Sequence, residues 1–235
     1  MRCARKIASV LGAIGLAVAV ALAFTWSTAD DEAKDEVLQA FDPAKNTPTD
    51  QVRQIVWEAL PDEVVAWVEV PGTAIDEPIV QADASSPDFY LYADVFAEGG
   101  YGTPYIDCEC TLKTPFVLTY GHHMDDGSVF ADFASFSDAS FAQEHQAVYL
   151  YTREDNRRRV LSVFAADVVN ASYETVHSGI AADKLAVQVV SICETSDAVF
   201  FEPADPTQVF AFATCSYQTR NSRTVVYAVK VGDGA

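Results

Sequence analysis

Two adjacent histidines follow an apolar run that has the composition of a β-strand. They are His122 and His123 in the stretch TYGHHMDDGSVFADF, directly after PFVLTY, in a chain with only 4 histidines. An imidazole titrates near neutral pH, so a histidine at the end of a strand is suited to proton transfer. Because neighbouring side chains of a strand point to opposite faces, at most one of the pair is expected to reach a given cavity.

A thiol and a guanidinium stand near the C-terminus, on either side of a polar turn. In VFAFATCSYQTRNSRTVVYAV, Cys215 closes one apolar run and Arg223 opens the next. If the two runs are antiparallel neighbours, their near ends meet and both groups could face one cavity. Only about 3% of an unperturbed thiol is thiolate at pH 7, so a nucleophilic Cys215 needs a histidine nearby. The alternative is a buried, inert cysteine beside a surface arginine.

The other cysteines do not have the spacing of a disulfide scaffold. The 5 cysteines are Cys3, Cys108, Cys110, Cys193 and Cys215. Side chains two apart in a strand lie parallel, which disfavours pairing of Cys108 with Cys110, whereas either could pair with Cys193. A zinc half-site made by this Cys-x-Cys pair with His122 or His145 is a further alternative. No second closely spaced ligand pair supports it, so the sequence does not favour a metal site.

The acidic composition of the chain excludes nucleic acids as partners. The chain carries 15 basic and 34 acidic residues, a net charge of −19 at pH 7, and 50% of its 235 residues are hydrophobic. Nucleic-acid binding needs clustered lysine and arginine, and no basic stripe offsets this acidic balance. A chain of this length and apolar content can bury a sizeable core, so we expect a folded domain.

The N-terminal segment has the pattern of a membrane anchor. MRCARK precedes the uncharged run IASVLGAIGLAVAVALAFTW, which is about as long as a helix that spans a bilayer. Basic residues before this run and acidic ones after it favour a cytoplasmic N-terminus and an extracellular remainder. A cleaved signal peptide is the alternative, because the ALA triplet at 21–23 has the spacing of a cleavage site. We expect a single-pass anchor over 1–26, an acidic stalk over 27–46 and the domain over 47–235.

The rest of the chain predicts a mainly β domain. A helix is predicted over DQVRQIVWEAL, residues 50–60, with Thr49 as its N-cap. Beyond it, about eight runs rich in β-branched and aromatic residues are predicted as strands: 64–70, 78–81, 103–107, 115–120, 147–152, 159–169, 209–215 and 224–231. Helical interruptions are predicted at 87–92, 128–136 and 180–194. A closed or nearly closed antiparallel barrel would bury so many short strands without exposed edges.

Several segments together resemble the class B sortases. TYGHHMDDGSVFADFASF resembles their YGHNM-x-x-GSMF-x-x-L segment, and ATCSYQTRNSRTVVYA resembles their STC-x-Y-(x)n-R-F-VV-x-A ending. LPDEVVAWVEVPGTAIDEPIVQ is similar to the opening NPD-VVGWI-x-IPGT-x-IDYPVVQ of their catalytic domain, and DFYLYADV and GTPYID fit the same pattern. The resemblance runs in order over most of residues 50–230.

The resemblance implies a fold, an activity and partners. Class B sortases are exported cysteine transpeptidases built on an eight-stranded β-barrel, and they need no metal or other cofactor. Their thiol attacks the threonine carbonyl of an LPxTG- or NPxTN-like signal near a substrate's C-terminus, and an amine then resolves the thioester. The expected partners are surface proteins or pilins with such a sorting signal, and a cell-wall precursor or pilin lysine as amine acceptor. The expected location is the cell membrane, with the catalytic domain outside.

The family's site residues can be matched to positions of this sequence. Cys215 matches the nucleophile, and His122 matches the histidine that protonates the departing amine. Arg223 matches the arginine that stabilises the oxyanion, with Arg220 in the turn as its nearest competitor. A fixed guanidinium and a backbone amide near Ser216 would stabilise charge on the carbonyl oxygen. Positions that line the family's substrate groove fall on Leu91, Tyr120, Thr214 and Ser216.

The chain departs from the family pattern at several places. His123 stands where asparagine is usual, Cys-Glu-Cys at 108–110 has no counterpart, and residues 183–206 replace a long helix beside the groove. The last difference leaves the recognised motif open. Two other functions remain alternatives: an exported cysteine peptidase that hydrolyses without transfer, and a non-enzymatic, wall-facing β-barrel binding module. The binding module would be favoured if Cys215 and His122 lay far apart.

Overall fold

The computed structural model of the protein describes residues 53–218 and 221–231. The expected membrane segment, the acidic stalk and Arg220 lie outside these residues, so the predictions made for them stay predictions. Within the described ranges, no helix is both long enough and apolar enough to cross a bilayer.

Strands dominate the regular structure of the described residues. The strands are β1 (Val64–Glu69), β2 (Asp76–Gln81), β3 (Tyr105–Ile106), β4 (Phe116–Gly121), β5 (Ala147–Thr152), β6 (Arg158–Asn170), β7 (Ala198–Val199), β8 (Val209–Ser216) and β9 (Ser222–Lys230). The α-helices are α1 (Ala139–Glu144) and α2 (Leu185–Thr195), and 3-10 helices lie at Trp57–Ala59, Phe89–Leu91, Ala131–Ser137 and Ala182–Lys184. Every predicted strand overlaps an observed one, with ends that differ by at most two residues.

Eight of the described strands close into a barrel. Their order is β1-β2-β3-β4-β8-β9-β6-β5, and β5 pairs back to β1, while the two-residue β7 adds to β6. Closure leaves no long open edge among these strands. The sequence predicts an antiparallel barrel, and this prediction is wrong in part, because β2–β3 and β4–β8 are parallel pairs. The long segments 82–104 and 122–208 supply the crossovers that parallel neighbours require.

Aromatic packing joins the segment behind the histidine pair to the C-terminal strands. Phe130, Phe133 and Phe136, in or beside the 3-10 helix Ala131–Ser137, are fully buried. The ring of Phe133 stacks on that of Phe212 in β8, with 5.0 Å between centroids and 9° between planes. Such ring pairs stabilise a core by roughly 0.5–1.5 kcal/mol beyond the burial of their area. The segment is therefore held against the strand that carries the candidate thiol.

The prediction of an N-terminal helix is wrong over its described part. Residues 53–56 have irregular backbone, and only the 3-10 helix Trp57–Ala59 follows. The Arg153 guanidinium donates hydrogen bonds to the carbonyl oxygens of Leu60 and Pro61, at 2.8 and 2.9 Å. These tertiary contacts fix a path that helical periodicity does not anticipate.

The predicted helical interruptions take two forms. Residues 180–194 contain α2, whereas 87–92 and 128–136 contain 3-10 helices only. The six-residue α1 is absent from the predictions because it is too short to show a periodic pattern. Its one local signal is Asp138, whose carboxylate caps the helix by accepting the backbone N–H groups of Ser140 and Phe141.

Candidate functional site

A cleft with a volume of about 460 Å³ opens beside the ends of β4, β8 and β9. One wall is formed by these strands, and the other by segments 87–92 and 103–108. Six of the seven residues that sequence comparison assigns to the site line it: Leu91, Tyr120, His122, Thr214, Cys215 and Arg223. The cleft therefore gathers residues that are far apart in the chain.

The thiol and the guanidinium are direct cross-strand neighbours. Cys215 of β8 pairs with Arg223 of β9, and the flanking pairs are Thr214–Thr224 and Ser216–Ser222. Alternation along the two strands buries these four flanking residues and exposes Cys215 and Arg223 on the cleft side. The antiparallel turn thus brings both groups into one cleft.

His122 reaches the same cleft from the parallel neighbour of β8. β4 runs in register with β8 up to the pair Gly121–Thr214, so His122 lies one step further, beside Cys215. The Nε2 atom of His122 lies 2.6 Å from the carbonyl oxygen of Leu91. A carbonyl oxygen only accepts, so Nε2 carries the proton and donates it. Nδ1 is then the ring nitrogen free to exchange a proton.

Gly102 shapes the site and is not anticipated by the sequence analysis. A Cβ atom at this position would lie 2.6 Å from Cδ2 of His122 and 2.7 Å from the carbonyl oxygen of Leu91. Its φ of +68° also lies in the left-handed region that glycine adopts readily. The GTPYID motif signals a turn here, but not that the imidazole packs on it.

His123 points away from the cleft. Its Nδ1 lies 2.9 Å from the carbonyl oxygen of Cys215 and donates a hydrogen bond to it, and its ring meets that of Tyr217 edge-on at 4.8 Å. The two histidines therefore separate as strand alternation predicts. His122 faces the thiol's cleft, whereas His123 holds the backbone behind the thiol.

Two tyrosines line the cleft, one on each wall. The rings of Tyr105 and Tyr120 are 5.4 Å apart. Burial, reinforced by the negative charge of Asp107, raises the pKa of Tyr120 to about 12, although the positive charge of Arg223 acts in the opposite direction. Burial likewise raises the pKa of Tyr105. Both phenols therefore stay protonated at neutral pH and can offer a hydrogen bond, but cannot act as bases.

Ser216 is the predicted groove residue whose side chain does not reach the cleft. It is 3% exposed, and its hydroxyl donates to that of Ser222 at 3.2 Å on the opposite face of the strand pair. The residue next to a cleft-facing side chain must face away, which the family comparison alone does not reveal. Thr214 borders the cleft, but its hydroxyl is buried without a protein hydrogen-bond partner.

Two carboxylates, those of Asp88 and Asp107, are part of the cleft lining. Asp107 accepts hydrogen bonds from the backbone N–H of Glu109 at 2.9 Å and from the hydroxyl of Ser178 at 3.0 Å. Cys108 also lines the cleft. Burial and the charges of Asp107 and Glu109 raise the pKa of the Cys108 thiol, so it stays protonated at neutral pH. Cys108 therefore lacks the features of a second nucleophile.

The cysteines that could form a disulfide or bind zinc are free in the described structure. Cys110 is buried, and its sulfur accepts the backbone N–H of Leu118 at 3.3 Å, while Cys193 lies elsewhere on α2. No group of three or more His, Cys, Asp or Glu within residues 53–218 and 221–231 is placed to hold a metal ion.

The sequence is similar to a curated sortase B from Listeria monocytogenes. The two are 31% identical over 99 residues, a stretch that covers 41% of this chain and 39% of that protein. The match therefore spans about two fifths of the curated relative. No family model matches the chain.

Solved structures of sortase B share the fold. The Staphylococcus aureus sortase B–substrate complex matches with a TM-score of 0.67 and 20% identity, over 88% of this chain and 98% of that one. Bacillus anthracis sortase B in complex with AAEK2 matches with a TM-score of 0.67 and 23% identity, over 84% and 93%. The expected mainly β, eight-stranded barrel is thereby confirmed, and so is the resemblance to class B sortases.

Proposed function

We propose that this chain, which has the fold of sortase B, is a sortase-type cysteine transpeptidase. It cleaves a C-terminal sorting signal through a thioester on Cys215 and passes the new carboxyl end to an amine. The observation that supports this is a single cleft lined by Cys215, Arg223 and His122 at the ends of three barrel strands. A thiol, a guanidinium and an imidazole are the groups that acyl transfer through a thioester requires.

In the first half-reaction the Cys215 thiolate attacks the carbonyl carbon of the scissile peptide bond. The C–S bond forms, negative charge moves to the carbonyl oxygen, and the Arg223 guanidinium stabilises this charge. The C–N bond then breaks while His122 gives its proton to the departing amine. With Nε2 held by the Leu91 carbonyl, Nδ1 is the atom that transfers this proton.

In the second half-reaction an amine replaces the thiol. Its nitrogen attacks the thioester carbonyl, and neutral His122 accepts the proton that the nitrogen loses. The C–S bond breaks, which restores the thiolate and leaves a new amide. Water competes at this step, so the same cleft gives hydrolysis when no amine is present.

The donor is an extended peptide with an LPxTG- or NPxTN-like sequence near the C-terminus of a surface protein or pilin. A cleft of about 460 Å³ suits a few residues of such a peptide better than a folded surface. The solved Staphylococcus aureus relative is a complex with its substrate. The acceptor is an amine of a cell-wall precursor or a pilin lysine.

The N-terminal segment would keep the enzyme where these substrates pass. Residues 1–26 combine basic residues with an uncharged apolar run of spanning length. We propose that they form a single-pass anchor with a cytoplasmic N-terminus, followed by the stalk at 27–46. The domain then works at the outer face of the cell membrane.

The decisive experiment traps the thioester. Detergent-solubilised full-length protein is incubated with a library of sorting-signal peptides, and intact-protein mass spectrometry measures the acyl adduct. Hydroxylamine should release the adduct as a hydroxamate, and an added peptide amine should divert the product from acid to amide. The matched control is Cys215→Ala, which should keep the fold because Cys215 is exposed.

Two results would overturn the proposal. One is a folded protein that forms no adduct with any peptide while Cys215 fails to react with thiol reagents. The other is an adduct that also forms on Cys215→Ala, because the nucleophile would then be another group. Formation of acid only, whatever the amine offered, would favour the hydrolytic peptidase.

A further inference from the structure

A second hollow on the barrel, with a volume of about 440 Å³, has a basic lining. Four of its lining residues are cationic, namely Arg157, Arg158, Arg159 and Lys230, and its single carboxylate is that of Asp155. The chain as a whole has 34 acidic and only 15 basic residues. A local excess of positive charge on so acidic a chain attracts anions to this one place.

Most of this positive charge is not neutralised by the protein. The Arg159 guanidinium donates to both carboxylate oxygens of Asp155, at 3.2 and 2.9 Å, so these two charges cancel. Among the described residues, no carboxylate forms an ion pair with Arg157, Arg158 or Lys230. We call these three residues the basic patch. Its charge is available to a partner.

The surroundings of the basic patch suit a surface that is charged and partly apolar. The Arg158 guanidinium lies over the ring of Tyr149, 4.6 Å from its centroid, which orients the charge without removing it. Arg157 and Lys230 are exposed. Beside them, Val231 also lines the hollow and is 57% exposed. Long cationic side chains next to an exposed apolar one are typical of residues at a lipid headgroup layer.

The basic patch lies at the end of β9 that is remote from the catalytic cleft. Arg223, which lines the cleft, stands at the start of Ser222–Lys230, and Lys230 is its last residue. Seven steps along a strand span roughly 23 Å, or roughly 18 Å along the axis of a barrel whose strands tilt by about 40°. A partner at the patch therefore does not obstruct the cleft.

The described chain enters the domain at the same end. The side-chain amide of Asn156, in the turn between β5 and β6, donates to the carbonyl oxygen of Ile55 and to Oε1 of Gln54, both at 3.4 Å. The neighbouring carboxylate of Glu154 is paired with Nζ of Lys113 at 3.1 Å. The turn that carries the patch thus contacts the segment that follows the proposed stalk.

We propose that the basic patch rests on the anionic headgroups of the membrane and thereby orients the domain. The stalk at 27–46 has 20 residues and can extend to about 70 Å, so by itself it leaves the orientation open. The rest of the acidic domain is repelled by the same headgroups, which leaves the patch as the face that can approach. The inference rests on the anchor of the proposed function and not on its chemistry.

The size of the effect is sufficient for a tethered domain. Each cation at an anionic surface favours contact by about fivefold, so three favour it by about a hundredfold. This is too weak to recruit a free protein, but an anchor already keeps the domain close to the surface. Carboxylates further than about 8 Å from the headgroups are screened by physiological salt and oppose the contact little. The cleft would then stand roughly 18 Å above the headgroups.

The test measures how fast the amine of Lys230 is acetylated in full-length protein held in lipid nanodiscs. The discs contain phosphatidylcholine alone or with about 30% phosphatidylglycerol, and mass spectrometry follows the reaction. Lys184 is the reference amine, because it is exposed and lies outside the hollow. The variant Arg157→Glu lowers the net charge by two units, and Lys184→Glu is the control with the same change of charge.

We expect Lys230 to react about fivefold more slowly in anionic discs than in neutral ones at about 0.1 M salt, and equally fast in both at about 1 M, where the Debye length is ~3 Å. Lys184 should react equally in both. Arg157→Glu should reduce the difference at Lys230 to less than twofold, whereas Lys184→Glu should keep it. Cleavage of a short soluble peptide by Arg157→Glu should stay within twofold of the wild type.

Equal acetylation of Lys230 in the two kinds of disc would overturn the proposal, and so would a difference that survives in Arg157→Glu. If about 1 mM pyrophosphate slows Lys230 as much in neutral discs as the anionic lipid does, the hollow is a site for a soluble phosphate instead. Protein that does not enter the discs would count against the anchor, and vesicles of the same two compositions then decide whether the patch binds lipid. None of these measurements requires turnover, so a failure of the proposed chemistry is seen separately.

Discussion

The two walls of the cleft are built by different means. The strand wall carries Cys215 on β8, Arg223 on β9 and His122 directly after β4, and continuous ladders join these three strands in register. The loop wall, at 87–92 and 103–108, has only the two-residue β3 in the sheet and is otherwise held by isolated contacts, such as the bond from the N–H of Thr103 to the carbonyl of Tyr90 at 2.9 Å. Ladders fix side chains closely, whereas isolated contacts allow a wall to change.

This difference between the two walls separates catalysis, at the strand wall, from recognition of the peptide, at the loop wall. Acyl transfer requires three groups within hydrogen-bond reach of one carbonyl, and small displacements are costly. Recognition of the peptide tolerates more adjustment. We therefore expect substitutions in the strand wall to lower kcat and those in the loop wall to raise KM.

The largest effect should come from the thiol. Cys215→Ala removes the nucleophile, so the acyl-enzyme should be undetectable and kcat should fall by about 10⁴-fold or more. Because Cys215 is exposed, the free energy of unfolding should change by no more than about 0.5 kcal/mol. Peptide cleavage and thermal unfolding measure the two quantities. If Cys215→Ala still cleaved the peptide, the residues of the strand wall would not carry out the chemistry.

Next comes the comparison of the two histidines. His122→Ala should lower kcat by about 10²–10⁴-fold, because His122 is the one imidazole among the described residues that line the cleft. His123→Ala should cost about tenfold or less, since it loses one hydrogen bond to the backbone of Cys215. The reverse order in steady-state kinetics would exchange their roles.

Arg223 should follow. Arg223→Ala should lower kcat by about 10²–10³-fold, the usual effect of losing one oxyanion donor, and Arg223→Lys should restore part of it. Arg220→Ala is the matched control and should have little effect. If Arg220→Ala is the more damaging change, the oxyanion role belongs to the turn and not to β9.

The loop wall should show the smallest effect and a different kind. Leu91→Ala keeps the carbonyl that accepts Nε2 of His122 but removes the side chain that lines the cleft. KM should rise about threefold to tenfold, as expected for a lost apolar contact, while kcat stays within about twofold. A fall in kcat alone would contradict the division between the walls.

Much of the barrel could be predicted because its strands are locally distinctive. The predicted and observed bounds of Ala147–Thr152 coincide, and alternation separates His122 from His123 correctly. Pairing is different: nothing local in Phe116–Gly121 shows that it lies parallel to Val209–Ser216, because that partner is far away in the chain. The two-residue β7 is too short to leave any pattern.

The site residues likewise divide into those that could be predicted from the sequence and those that could not. Cys215 and Arg223 could be expected to meet because a single turn joins their strands. Gly102 could not be assigned, since its partner, His122, lies on another segment and only the folded chain brings the two together. Composition and motifs reveal which chemistry a residue could perform, but not which residues of a distant segment contact it in the folded chain.

Gly102 limits how freely the loop wall could be exchanged. The imidazole of His122 rests on the backbone of Gly102 and Leu91, so a loop transplanted to change the accepted peptide would also have to re-create the surface on which the proposed general acid sits. A graft that keeps glycine at 102 and the carbonyl at 91 should alter specificity and retain turnover. One that brings a side chain to position 102 should be inactive towards every peptide, however well the new loop binds.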